Sequence, residues 1–137
     1  MKTQFQIILF IVTFLNGFAV FGESAALQPQ AQGDITYVSG GVGLDEIDAI
    51  KALKPNYNLH LLFAVNSGEY LSDIDVAIFD KKGNAYMQAV SLGPFMLVNL
   101  KPGNYYVKAQ LDGRAITKKV TITGHKPTSS SFIWPHE

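Results

Sequence analysis

The side chains with the clearest potential for metal chemistry are three histidines, His60, His125 and His136. Imidazole nitrogen is a common ligand of zinc and copper, but a site needs several ligands that converge on one point. His60 lies in a strand-like segment, and the other two lie in a C-terminal stretch whose path the sequence does not define. We therefore expect His60 to make a structural hydrogen bond, and we predict no metal or other cofactor site.

A second set of candidate ligands consists of acidic residues that could offer oxygen atoms to calcium. These are Glu69, Asp73, Asp75 and Asp80. Asp73 and Asp75 are two residues apart, which places them on the same face of a strand. Calcium loops instead arrange their ligands along a turn that contains glycine. The spacing therefore favours a solvated strand face over a calcium site.

A glycine-rich loop over residues 40–43 precedes the predicted helix and could hold a phosphate at the helix N-terminus. The loop lacks the third glycine of a dinucleotide-binding motif and the Gly-Lys-Ser/Thr of a P-loop. Asp45 and Glu46 would also repel a phosphate at that end of the helix. We expect a tight turn that lets a strand and the helix pack closely.

No combination of residues in the sequence is typical of an enzyme active site. The chain lacks cysteine, and it has neither a nucleophile elbow nor a recognisable pair of catalytic carboxylates. We therefore predict a protein that is not an enzyme. Its 11 basic and 11 acidic residues balance, whereas a nucleic-acid partner requires a basic surface. The sequence thus argues against nucleic-acid binding as well.

The aromatic residues are more numerous than one buried face of a small domain can hold, so we expect some of them on the surface. Exposed aromatic side chains are typical of binding patches. The alternative is that several of them close the ends of the domain as ordinary core. The predicted partner surface consists of Tyr70, Tyr86, Phe95, Tyr106 and Trp134.

The first 26 residues have the pattern of a secretory signal peptide. Lys2 precedes a mainly apolar run over residues 5–20, and small residues at 24–26 match a cleavage site. The run is shorter than the roughly 20 apolar residues that cross a bilayer, so we expect no membrane span after cleavage. The prediction is export to the periplasm or the medium, and the lack of cysteine favours a bacterial envelope.

The remaining chain is predicted to form one domain with flanking segments. We expect a flexible leader over residues 27–34, a β-sandwich over 35–124 and a C-terminal tail over 125–137. A helix is predicted over residues 44–54, because its apolar positions recur at three-residue spacing and its first turn is acidic.

Strand-like segments recur about every ten residues and are separated by turns rich in glycine, proline and asparagine, which predicts an all-β, seven-strand-type antiparallel sandwich. Residues 59–65 are apolar on both faces, so we expect this strand to be covered on both sides, one of them by the helix. Lys118 interrupts the apolar face of the last strand, which indicates a bulge or a sheet edge.

Several motifs between residues 57 and 122 resemble the carboxypeptidase-regulatory-like, or transthyretin-like, modules of small exported bacterial proteins of unassigned function. The likeness is carried by residues 75–80, the Lys82-Gly83-Asn84 turn, Gly93-Pro94-Phe95, residues 100–107 and residues 119–122. The resemblance implies a sandwich of transthyretin-like or immunoglobulin-like type. The related hydroxyisourate hydrolases have a tyrosine-rich C-terminus, whereas this chain ends in Trp134-Pro135-His136-Glu137 and has a single arginine, so that activity is not expected.

These observations predict an exported, non-catalytic binding module of the bacterial cell envelope, with a protein or a glycan as its partner. Strand addition at residues 35–38 or 114–122 is one way in which it could dock. The alternative is a periplasmic carrier of a small ligand or a metal, with His60 or the histidines near the C-terminus as ligands. A transthyretin-related hydrolase is the third reading.

Overall fold

The computed structural model describes residues 27–135, so the predicted signal peptide over residues 1–26 lies outside the described residues. The described chain is built mainly of strands, with one α-helix and one short 3₁₀ turn. In chain order the elements are β1 (Gln30–Gln32), β2 (Ile35–Gly40), α1 (Leu44–Leu53), the 3₁₀ turn (Lys54–Asn56), β3 (Leu59–Val65), β4 (Ile74–Phe79), β5 (Ala85–Ser91), β6 (Phe95–Asn99), β7 (Gly103–Leu111), β8 (Arg114–Ile122) and β9 (Thr128–Trp134).

The strands form two sheets. One has five strands in the order β1-β2-β6-β3-β9, and the other has four in the order β5-β4-β7-β8. Neighbouring strands are antiparallel except β3 and β9, which run parallel from the Leu59–Thr128 pair to the Val65–Trp134 pair. The predicted all-β class with one helix is confirmed at this level, while the described residues form nine strands rather than the seven expected.

The core lies between the two sheets and follows the period of two along each strand. Leu61 and Phe63 of β3 are buried in the same cluster as Val76 and Ile78 of β4, on the facing sheet. The ring of Phe63 also packs against β9, with centroids 5.6 Å from Phe132 and 6.4 Å from Trp134. The three aromatic side chains fill the space between the sheets beneath the parallel pair of strands.

The helix covers part of the outer face of the five-stranded sheet. Ile50 of α1 is buried against Val38 of β2 and Leu97 of β6, in a second, smaller cluster. The imidazole Nε2 of His60 lies 3.0 and 2.9 Å from the carbonyl oxygens of Lys54, in the 3₁₀ turn, and of Tyr57, directly after it. The helix thus packs on β2 and β6, whereas β3, which was expected beneath it, has its His60 held by the 3₁₀ turn and the residue after it. The α-helix ends at Leu53, one residue before the expected boundary.

The segments predicted as a flexible leader and as a C-terminal tail both contribute strands to the five-stranded sheet. The predicted leader contains β1, which pairs with β2 from Gln30–Tyr37 to Gln32–Ile35. The predicted tail contains β9, whose Phe132 and Trp134 are core residues. The leader is therefore not irregular throughout, and the sheets extend beyond the predicted limits of residues 35–124. A local sequence pattern does not reveal pairing with a distant strand, and here the partner strands supply the order.

Along one side of the molecule, β8 of one sheet faces β9 of the other through side chains. The Lys118 ammonium donates to the Ser131 carbonyl oxygen, and its Nζ lies 5.5 Å from the Phe132 ring centroid. The Thr128 hydroxyl donates to the Thr121 carbonyl oxygen at 2.7 Å. Of the two predicted alternatives for Lys118, a sheet edge is confirmed, because β8 is the last strand of its sheet. A bulge is not found, since β8 pairs with β7 without a register shift.

On the opposite side of the molecule, side chains of β1 and β2 in one sheet bond the main chain of β5 and of the residue after it in the other sheet. The Gln32 side-chain amide donates to the Gln88 carbonyl oxygen at 2.7 Å and accepts from the Gln88 N–H at 3.1 Å. The Ser39 hydroxyl oxygen accepts from the Leu92 N–H at 2.9 Å. A side chain that satisfies edge N–H and C=O groups protects a sheet edge from further pairing. Strand addition at residues 35–38 is ruled out directly, because β2 lies between β1 and β6.

Candidate functional site

The predicted metal ligands do not converge. His60 is held under the 3₁₀ turn, His125 is exposed in the loop before β9, and His136 lies outside the described residues. Between residues 27 and 135, no three histidine, aspartate or glutamate side chains are grouped closely enough to hold a metal ion. In the same part of the chain no helix has the length and apolarity needed to cross a membrane.

Asp80, one of the candidate calcium ligands, caps the turn between β4 and β5. Its carboxylate accepts the N–H groups of Lys82 and Asn84, both at 2.9 Å, and the Asn84 side-chain amide at 2.9 Å. The Tyr86 hydroxyl donates to the same carboxylate at 3.1 Å. These hydrogen bonds, the Asn84 amide foremost, lower the pKa of Asp80 below its ordinary value. The geometry gives Asp80 a structural role in the turn.

The glycine-rich loop holds a carboxylate of the chain itself. Glu46 Oε1 accepts the N–H groups of Gly41 and Val42, both at 3.1 Å, at the start of α1. Gly41 has φ of 105°, and a Cβ atom there would lie 2.5 Å from Cδ2 of Phe95. Only glycine lets the loop approach this ring so closely. The loop is the close-packed turn that the sequence predicted.

The five residues of the predicted partner surface occupy four places rather than one. Trp134 is wrong as a surface residue, because only 2% of it is exposed and it belongs to the core. Tyr70 and Phe95 lie together beside the helix, with ring centroids 5.8 Å apart. Tyr106 stacks on Phe79 on the outer face of the four-stranded sheet. Tyr86 packs at one end of the domain.

The first surface, which we name the aromatic corner, consists of Val42, Leu44, Tyr70 and Phe95. Tyr70 is 57% exposed and packs edge-on against Phe95. Val42, in the loop whose Gly41 packs on Phe95, is 58% exposed, and Leu44, the first residue of α1, is 79% exposed. The Lys54 ammonium lies over the Phe95 ring, 5.7 Å from its centroid. The corner is an apolar surface bordered by the Lys54 ammonium and by the Glu46 carboxylate, which is bonded to the N–H groups of the loop.

The second surface is the outer face of the four-stranded sheet. A shallow trough crosses β5, β4 and β7 there, lined by small apolar residues and by the polar side chains of Asp75, Gln88, Lys108 and Gln110. Its two charged residues, Asp75 and Lys108, lie on the neighbouring strands β4 and β7. Solvated charges of this kind are the usual outer face of an antiparallel sheet, as the sequence predicted for Asp75.

The third surface is a cleft of about 290 Å³ at the end of the domain where β1 turns into β2 and β6 turns into β7. Tyr86 and Tyr105 form its wall, with ring centroids 5.4 Å apart and ring planes at 81°. Asp34 and Lys101 stand at its rim, with 3.4 Å between Oδ2 and Nζ. We name this site the tyrosine cleft. Only Tyr86 was among the predicted surface residues.

The Gly33-Asp34 pair was the sequence signal that could have located this cleft. A two-residue turn with glycine in its first position joins strands in a hairpin, and Gly33 has φ of 58° here. Recognition of this turn would have placed β1 beside β2 and Asp34 at the end of the domain. No model of a protein family matches this chain, and no curated protein matches it either.

Proposed function

We propose that this chain is a non-catalytic binding module of the bacterial cell envelope, exported by its N-terminal signal peptide, and that it docks a protein through the aromatic corner. The observation that carries the proposal is the exposure of Tyr70 edge-on against Phe95, with the exposed Val42 adjoining Gly41, which packs on the same ring. Scattered apolar side chains are common on protein surfaces, whereas clustered ones are typical of interaction sites.

The aromatic corner is held in place before any partner arrives. Tyr70 is bridged through its main chain to Ala64 and through its ring to Phe95. Glu46 fixes the neighbouring loop by accepting the N–H groups of Gly41 and Val42. Side chains that are already ordered lose little conformational entropy on binding, and tyrosine is enriched among the residues that dominate interface energies.

The composition of the corner indicates the chemistry of its partner. Val42 and Leu44 offer aliphatic surface, which favours a protein over a glycan. The Lys54 ammonium next to Phe95 would pair with a carboxylate. The proposed partner is therefore a protein that inserts an apolar side chain beside Phe95 and carries an acidic residue near Lys54.

The type of β-sandwich is also part of the proposal. We infer a sandwich of the transthyretin-like or carboxypeptidase-regulatory-like type from the motif over residues 100–107. Two facing sheets with mainly antiparallel pairs are compatible with it, and β1, α1 and β9 are then additions to that plan.

The test is photo-crosslinking in the cells that produce the protein. A photoreactive phenylalanine analogue at position 70 is expected to give one discrete protein adduct. The control places the analogue at Thr117, which is exposed on β8 of the other sheet. With the purified partner, Tyr70→Ala should weaken binding by about 10-fold or more, as for other interface anchors.

Two results would contradict docking at the aromatic corner. One is the same adduct pattern at positions 70 and 117, which would indicate contact without a defined surface. The other is unchanged affinity of Tyr70→Ala and Leu44→Asp for the purified partner. A second function, carriage of a small ligand, is favoured by the tyrosine cleft. None of the residues that line this cleft belongs to the aromatic corner.

A further inference from the structure

The walls of the tyrosine cleft are aromatic and aliphatic. Tyr86 and Tyr105 meet edge to face at 81°, so two ring surfaces at nearly a right angle border the same space. Ile35 and Leu100 complete the apolar lining. The volume of about 290 Å³ is at the lower limit of known ligand pockets, which suits a small molecule.

The hydrogen-bond donors of these walls are already used. The Tyr86 hydroxyl donates to Asp80 Oδ2 at 3.1 Å, and the Tyr105 hydroxyl donates to the Lys101 carbonyl oxygen at 2.7 Å. The Gln32 amide nitrogen donates to the Gln88 carbonyl oxygen and to the Tyr37 hydroxyl. What these groups still offer is acceptor oxygen, because a phenol or an amide oxygen has more than one lone pair.

Two carboxylates and one ammonium group lie around the cleft. Asp34 stands at the rim, and Asp80 lies behind Tyr86 on the β4–β5 turn. The hydrogen bond to Asp80 and its negative charge raise the pKa of Tyr86, while burial raises the pKa of Tyr105. Lys101 is the opposing charge, and its pair with Asp34 is 79% and 83% exposed. Exposed ion pairs of this kind contribute little to stability, so a ligand can replace one partner at small cost.

We propose that the tyrosine cleft binds a small organic cation, an alkylammonium group that lies against the rings of Tyr86 and Tyr105 and pairs with Asp34 in place of Lys101. Aromatic faces attract cations, and quaternary or alkylated ammonium groups are bound by tyrosine walls in this manner. The unused acceptor oxygens suit a ligand that brings its own donors. This inference rests on the second function, carriage of a small ligand, and not on protein docking at the aromatic corner.

The experiment is a titration of the protein, purified as its cells produce it, with choline chloride, followed by NMR chemical shifts of the tyrosine rings. Sodium chloride at the same concentration controls for ionic strength. The neutral carbon analogue of choline, 3,3-dimethylbutan-1-ol, controls for shape. We expect saturable shifts of Tyr86 and Tyr105 with choline, and binding of the neutral analogue that is weaker by about 10-fold or more.

Variants separate the ring, the charge and the competing lysine. Tyr86→Leu and Asp34→Asn should each weaken choline binding by about fivefold or more, whereas Tyr86→Phe should retain it because the ring is kept. Lys101→Gln should tighten binding by about threefold, since the competing ammonium is removed. Tyr70→Leu, in the aromatic corner, is the matched control and should have no effect. Asp34 and Lys101 are exposed, so these two variants keep the test informative should Tyr86→Leu fail to fold.

Three outcomes would overturn the proposal. Equal affinity for choline and its neutral analogue would show that the cleft takes a small ligand without selecting charge. Absence of saturable shifts with either compound, at dissociation constants tighter than about 10 mM, would remove small-ligand carriage as well. An effect of Tyr70→Leu as large as that of Tyr86→Leu would place the ligand at the aromatic corner.

Discussion

Trp134 is the residue whose replacement tests the place of β9 in the fold. It is the largest of the fully buried side chains among residues 27–135, and only 2% of it is exposed. Its ring packs 6.4 Å from Phe63 in the core, and its indole N–H donates to the Arg114 carbonyl oxygen at 3.0 Å. Trp134→Ala therefore removes both packing inside the five-stranded sheet and a link to β8 in the facing sheet.

The expected loss follows from these two contributions. Replacing a buried tryptophan by alanine costs about 3–5 kcal/mol through lost burial and the cavity that remains. The lost hydrogen bond adds about 1 kcal/mol. A domain of this size has a free energy of unfolding of about 5–15 kcal/mol, so Trp134→Ala should lose a large part of it. Trp134→Phe keeps most of the burial and should cost about 1–2 kcal/mol.

The measurement is urea unfolding followed by far-UV circular dichroism, because the chain has a single tryptophan and its fluorescence disappears in the variants. Ile133→Ala is the matched control, since Ile133 is 44% exposed on the outer face of the same strand. It should change the free energy of unfolding by about 0.5 kcal/mol or less. A Trp134→Ala loss below about 1 kcal/mol would refute a core role for β9 and restore the C-terminal segment as a tail.

Two further predictions concern Asp80 and Lys118. The pKa of Asp80 is lowered in the folded protein from its ordinary 3.8, so its ionised form stabilises the fold above that pH and the contribution is lost as pH falls through the folded-state value. Asp80→Asn should thus be less stable than the wild type at neutral pH, and the difference in urea midpoints should close as the pH falls through the lowered pKa of Asp80; a pH-independent difference would contradict this. Lys118→Val should aggregate more readily in concentration-dependent light scattering, because it removes an edge-protecting lysine. Lys119→Val, on the opposite face of β8, is its control, and equal aggregation of both would argue against protection by Lys118.

Local patterns in the sequence were sufficient for the strands that carry their own apolar alternation. Ile74, Val76 and Ile78 predicted β4, and Asp112-Gly113 predicted the β7–β8 hairpin, where Asp112 and Gly113 have φ of 49° and 80°. A period of two and a turn pair are local signals, and the folded chain keeps them because they agree with the sheet.

The strands that the sequence missed depend on distant partners. The residues of β1 are polar apart from Ala31, and β1 is held by pairing with β2 and by the Gln32 bonds to Gln88. β9 begins with Thr128 and three serines, and its parallel register with β3 spans a separation of 69 residues, as in Leu59–Thr128. The spacing of Phe132 and Trp134 was the one local sign of a buried strand face. Long-range pairing leaves little other trace in a local pattern.

The candidate sites were mispredicted for a related reason. Composition indicated a surplus of aromatic residues, which is correct in that Tyr70 and Tyr86 are exposed. It could not indicate which rings share a surface, because Tyr86 of β5 meets Tyr105 of β7 only in the folded domain, where β4 lies between these two strands. Chain proximity between Tyr105 and Tyr106 is misleading here, since neighbouring residues in a strand point to opposite faces.

Gln32 connects the closure of the two sheets with the tyrosine cleft. Its amide bonds the Gln88 main chain on β5 and the Tyr37 hydroxyl on β2, and it lines the cleft as well. The turn that carries Asp34 is thereby fixed against the strand that carries Tyr86, so the same bonds that protect the β5 edge bring together the charge and the ring of the proposed site. A ligand that binds this arrangement and not the unfolded chain must stabilise the contact between the sheets by linkage. Gln32 thus protects the β5 edge and also positions the proposed ligand site, although it lies in a segment that composition alone marks as a flexible leader.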